Sequence, residues 1–230
     1  MTSPDDHRRV LEAAQRLDIQ PRGLRWTHLS LCVLDAVFSI NATYRSTTNV
    51  CHRYAAYARL VPLTPADALL PGEQQEPLDR FVQVAKTQGD RLASDVLRNS
   101  GRTSTRSGIR KADAAVQYAE ILVSHGLRTL ADTTRAMADA EITAAADADL
   151  GRVKGHGLGA RREYLWMLVG DDNRVKPDRM ALGWLGDVLG RTVKSGEALE
   201  LLSVASTALG CTVWELDHAM WQEQRGRRSP

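Results

Sequence analysis

No stretch of this chain alternates apolar and polar residues with period two over a useful length, and that absence constrains the fold most. A half-buried strand needs such alternation, because successive side chains leave opposite faces of a sheet. The chain instead carries helical spacing broken by Gly, Pro and short polar joints. About ten or eleven helices and no sheet are expected. The fold class is all-α.

The helices can be placed in order. One starts at Asp5 or Asp6 and runs to about Leu17, where Pro21-Arg22-Gly23 breaks the chain. Residues 27–40 are too long and too apolar for a surface strand. Leu31, Leu34, Ala36, Val37 and Phe38 fit a buried helix with Thr27 as its N-cap. After the polar joint from Asn41, a second helix covers about 46–60. Residues 61–76 hold Pro62, Pro65 and Pro71 and read as a connector. Helices are expected near 77–87 and 89–99, followed by a basic, acid-free loop to Lys111. An amphipathic helix from about 109 to 125 ends at Gly126. Two short helices follow over 127–150, and the last helices lie near 177–190, 195–209 and 212–224.

At 230 residues the chain is long enough to bury a sizeable core. Its net charge of +2 makes no case for nucleic acid, so any such case must come from local clustering. The three cysteines, Cys32, Cys51 and Cys211, are far apart and lack zinc or iron–sulfur spacing, so no metal site is expected and they read as reduced thiols. No apolar run reaches the ~18 residues of a membrane span, and the acidic, polar N-terminus does not resemble a signal peptide. A cytoplasmic protein is expected, and, with no heptad pattern, a monomer.

The local cluster lies in Arg152–Met180, reading RVKGHGLGARREYLWMLVGDDNRVKPDRM. Gly155, Gly157 and Gly159 precede an apolar helical run, and Arg152, Lys154, His156, Arg161 and Arg162 crowd the turn. Closely spaced glycines permit positive φ and close approach of a partner to the backbone. Free amides at the next helix start favour an anion. Physically, this is a hairpin suited to gripping a nucleic-acid backbone.

Four segments in order carry a resemblance: Phe38-Ser39-Ile40-Asn41-Ala42-Thr43 closing a buried helix, Ser107-Gly108-Ile109-Arg110-Lys111-Ala112 opening one, the glycine hairpin 153–159, and Val175-Lys176-Pro177-Asp178. Over about residues 27–190 the chain resembles the helix-hairpin-helix DNA glycosylases, the superfamily of endonuclease III, adenine glycosylase and the 3-methyladenine glycosylases. The resemblance implies a two-lobed helical fold with duplex DNA between the lobes. One lobe, about 100–190, would hold the hairpin and Asp178; the other would join about 1–60 to 191–230. Members flip a damaged or mispaired base and cleave its N-glycosidic bond. By the same resemblance, Asp178 is the catalytic carboxylate, the hairpin amides hold a phosphate, and a monovalent cation bridges hairpin carbonyls, with no organic cofactor.

The pattern departs from the family in the hairpin, where Lys154 and His156 replace a proline and an apolar residue. Gly159 and Ala160 occupy the region of the Schiff-base lysine of bifunctional members, so a lyase step is not expected. The four-cysteine cluster of some members is absent.

Each site residue also has a plainer reading. A carboxylate at Asp178 would stabilise an oxocarbenium-like sugar, or would simply favour the first turn of its helix. Lys154, Arg161 and Arg162 would neutralise a DNA backbone without reading sequence, or be solvated. Asn41 would fill the gap left by a flipped base, or merely end a helix. Lys111, with Arg106 and Arg110, would form a basic edge facing DNA, or be loop charge. Tyr164 would wall a base pocket, or join Trp166 and Met167 in the core. His218 and Trp221 are placed in the core. A non-catalytic DNA-binding module is the alternative to the enzyme, and a scaffold binding protein or a small molecule is a third.

Overall fold

The computed structural model describes residues 2–105, 107–155, 159–172, 174 and 179–228, with side chains through Gly226. Among these residues the protein is almost entirely helical, with eleven α-helices and one two-stranded sheet. Contacts divide the chain into a central unit, Gly23–Gly170, and a terminal unit made of residues 1–22 and 171–230.

The central unit is built around α2 (Leu29–Phe38), whose ten residues are all buried. Such a helix has no solvent face, so it must be covered all round. It packs against α3 (Tyr44–Ala58), α5 (Lys111–Ser124) and α8 (Ala160–Val169). Burying each leucine of this kind contributes about 1.5–3 kcal/mol. Also in this unit are α4 (Leu78–Gln88), α6 (Leu130–Ala136) and α7 (Ala140–Leu150). Trp26 Nε1 donates to the buried Asp35 at 2.7 Å, tying the chain entering α2 to its middle.

The terminal unit joins α1 (Pro4–Ala14) to α9 (Arg179–Leu189), α10 (Ser195–Leu209) and α11 (Val213–Arg228). Ser3 and Asp6 form a reciprocal capping box that starts α1. Its buried Val10 and Ala14 share a core with Trp184, Leu185, Leu201, Leu202 and Leu216.

Several sequence expectations need correction. The chain has a sheet: β1 (Leu24–Trp26) pairs antiparallel with β2 (Leu63–Pro65), Arg25 opposite Thr64. Three-residue strands are too short to show a period. Residues 61–76 are therefore more than a connector. They carry β2 and a 3-10 turn, and their buried Gln75 accepts from the Leu130 amide at 2.7 Å. The N-cap of α2 is His28, not Thr27. Within 89–99 there is only the short π-helical turn Leu92–Val96. Helices α2 and α3 belong with the hairpin's unit and α9 with the termini, because an all-buried α2 has to lie inside the larger core. No single helix among the described residues is long and apolar enough to cross a membrane.

Candidate nucleic-acid interface

The hairpin joins α7 to α8. Asp139 starts α7 by accepting from the amides of Glu141 and Ile142 at 3.0 and 3.3 Å. After Leu150, Val153 is buried, Lys154 is exposed, and Gly155 takes φ +78°. Only glycine fits there: a Cβ would lie 2.2 Å from Thr103 Oγ1 and 2.7 Å from Thr103 Cβ. Gly159, also left-handed, caps the start of α8.

A loop from the front of α5 supports the turn from below. Thr103 Oγ1 donates to the Lys154 carbonyl at 3.2 Å and accepts from the Ile109 amide at 3.1 Å. The Thr103 amide donates back to the Ile109 carbonyl at 2.8 Å, and Arg102 and Arg110 form a bridge beside it. Gly108 is needed for this closure, because a Cβ there would meet the Ser104 backbone nitrogen at 2.2 Å. Nothing in a threonine within a polar loop marks Thr103 as a hairpin support.

Of the cations expected to contact DNA, Lys154 is exposed, whereas Arg161 and Lys111 are buried and Arg162 is half-buried. Arg161 is fully buried and donates through Nη2 to the Gly155 carbonyl at 2.9 Å. Its Nε and Nη1 have no hydrogen-bond partner among the described residues, and its guanidinium lies 6.0 Å from the Tyr118 ring centre. Lys111, 6% exposed, donates through Nζ to the carbonyls of Phe38 at 2.9 Å and Ile40 at 2.6 Å. A cation suits that position, since it caps the free carbonyls at the negative end of α2. Burial, then the charge of Arg161, pushes the Lys111 ammonium down to about 8. Arg162 is half-buried. It pairs with the Asp147 carboxylate and donates to the Asp147 carbonyl at 3.0 Å, while Trp166 Nε1 donates to the same carboxylate at 2.9 Å. Arg110 pairs with Asp113 and Asp90, both at 2.8 Å.

Lys154 and Asn41 are exposed. Lys154 makes no ion pair among the described residues. Asn41 is exposed at φ +52°, directly after the Ile40 carbonyl that Lys111 holds. Asparagine tolerates this conformation better than most residues. Lys111 thus fixes the 38–41 turn to the start of α5, and α5's loop fixes the hairpin. Structurally, the two segments of the resemblance that precede the hairpin are linked to it through side chains.

Tyr164 is half-buried against the central core, its hydroxyl 3.4 Å from Asp35 Oδ2, and Trp166 and Met167 are core residues. Gly157 and Asp178, like Arg106 and His156, lie outside the described residues. On α11, His218 stacks between Trp214 at 5.0 Å and Trp221 at 5.7 Å, with Arg22 over Trp214 and Arg225 over Trp221. His218 and Trp221 are half-buried in this stack rather than in the core. Their spacing of three and four residues along one helix face was the available signal.

Comparison with known proteins gives one finding. A family model described as "Domain of unknown function (DUF8548)" matches residues 6–225. No curated protein and no solved structure matches the chain.

Proposed function

We propose that this chain, which belongs to the DUF8548 family, is a monofunctional DNA base-excision glycosylase acting in the cytoplasm on a damaged or modified base flipped from duplex DNA. The observation that carries the proposal is the hairpin itself. Gly155 is left-handed, sealed against Thr103 and held by Arg161, between two helices, with exposed Lys154 beside it. Backbone amides ahead of the first turn of α8 are suited to hold a phosphate. Asp178, taken from the resemblance, supplies the carboxylate that stabilises positive charge on the sugar as the base leaves. Asn41 is the exposed polar group for the gap left by the base. The Gly155 carbonyl already receives a guanidinium, whose charge opposes a monovalent cation at that oxygen. No step is therefore routed through a bound cation.

The test is single-turnover base release from duplexes carrying different damaged bases, wild type beside Asp178→Asn. At least one duplex should release its base, and the variant should be slower by about a hundredfold or more with duplex affinity kept. A variant that releases at the wild-type rate, or that simply loses binding, rules out the role of Asp178.

A second reading, a non-catalytic DNA-binding module, is favoured by one fact. The described hairpin and everything shown to anchor it come from the central unit alone, whereas Asp178 belongs to the terminal unit's span. Silence across the panel with steeply salt-dependent duplex binding selects that reading. Negligible, salt-insensitive binding rejects both.

A further inference from the structure

At the far end of α2 from Lys111, about 15 Å away by helix rise, a cavity of about 350 Å³ opens between the start of α2, the end of α3 and β2. That volume is at the small end of ligand sites. Its polar lining is Thr27, His28, Arg59, Thr64 and Gln74, and the Thr64 hydroxyl is taken up by the Ala68 carbonyl. Thr27 is fully buried and its hydroxyl has no hydrogen-bond partner among the described residues. Buried hydroxyls are seldom left so, because an unmade hydrogen bond costs free energy. His28, 3% exposed, accepts the Glu76 amide on Nδ1 at 2.9 Å. Burial holds its ring below the usual histidine range, so the ring is neutral and carries its proton on Nε2, a donor with no partner among the described residues.

Arg59 adds a cation from the end of α3. It is a non-glycine residue in the left-handed region, φ +60° and ψ +45°, where the chain reverses before Leu60. Its side chain makes no ion pair or hydrogen bond among the described residues. The positive end of the α2 dipole lies at the same wall. No carboxylate lines the cavity among the described residues. The remaining wall is aliphatic, with Leu60, Leu63 and Val61, the last 67% exposed at the rim.

We propose that this cavity binds a small aliphatic carboxylate, with Thr27, His28 and Arg59 holding the carboxylate and Leu60, Val61 and Leu63 the short apolar tail. The two sources of that chemistry are a free aliphatic acid and the C-terminal carboxylate of a peptide ending in an aliphatic residue. The inference concerns the central unit only and stands whether or not the protein excises bases.

The experiment is ligand titration of the full chain, by calorimetry and thermal shift, with 4-methylpentanoate, the matching alcohol 4-methylpentan-1-ol, and N-acetylglycylleucine with its C-terminal amide. Both acids should bind saturably and their neutral counterparts about tenfold more weakly or worse, since a charge-assisted hydrogen bond is lost with the carboxylate. The acid that binds tighter identifies the source, and either order supports the proposal. Thr27→Val keeps the side-chain shape and removes a hydroxyl with no partner among the described residues, so the variant should fold at least as stably as wild type. It should nevertheless bind the acids about tenfold more weakly, as should Arg59→Ala. An alcohol or amide that binds as well as its acid, acids that fail to bind at all, or a Thr27→Val variant with unchanged affinity overturns the proposal.

Discussion

Lys111 is an ammonium placed at the C-terminal carbonyls of a buried helix, and its position sets a pH dependence with a definite sign. In the folded chain its pKa is lowered from 10.5 to about 8. Below pH 8 the lysine is protonated whether folded or not, so it contributes no slope. Between about 8 and 10.5 the unfolded chain holds a proton that the folded chain has released, so stability rises with pH. Compared with Lys111→Met, wild type should gain relative stability over that window, by up to about 1 kcal/mol per pH unit. Urea unfolding of both proteins at pH 7, 8, 9 and 10 gives the measurement. A difference that stays flat, or falls with pH, shows that the ammonium is not held as described.

The turn between α7 and α8 is held by two side chains, Thr103 and the buried Arg161. A buried guanidinium with two unpaired nitrogens is expensive to keep, so replacing it with an apolar residue of similar length should be near neutral for the whole fold. Arg161→Met is expected to change global stability by no more than about 1 kcal/mol, or to raise it. The turn itself should loosen, because the Gly155 carbonyl loses its donor. Hydrogen exchange across 151–160 should speed up and duplex affinity should fall together. Unchanged protection in that segment would show that Thr103 alone holds the hairpin. The inward direction of these cations was in fact written in the sequence. Arg161 precedes Leu165 and Leu168 by four and seven residues, and Lys111 heads the stripe Ala115, Tyr118, Leu122, so both sit on buried faces. Charge alone suggests solvent or phosphate, and helical spacing decides the direction. The helices themselves were legible because their apolar spacing repeats over three turns or more. The support from Thr103, the paired strands and the unpartnered Thr27 hydroxyl were not, since each arises from segments brought together across tens of residues.

At the scale of the whole molecule, the terminal unit is discontinuous: α1 completes a core whose other helices begin beyond residue 170. Val10 is fully buried in that core. Val10→Asp places a carboxylate there without a partner, at a cost of about 3–5 kcal/mol. The terminal helices should then become sensitive to limited proteolysis while Gly23–Gly170 resists. Fragments that begin near Gly23 and end near Gly170 would be the expected product. Uniform digestion of the whole chain would show that the two units do not unfold separately.

The same discontinuity sets an order of events during synthesis. The first helix leaves the ribosome long before its partners exist. At about 5–20 residues per second, the roughly 150 residues of the central unit take on the order of 7–30 s to be made. The central unit can collapse as a continuous stretch while α1 is still waiting, with Val10 and Ala14 uncovered. Nascent chains halted before residue 179 would therefore carry one finished unit and an amphipathic α1 still without its partners, open to chaperone capture and to association with its neighbours.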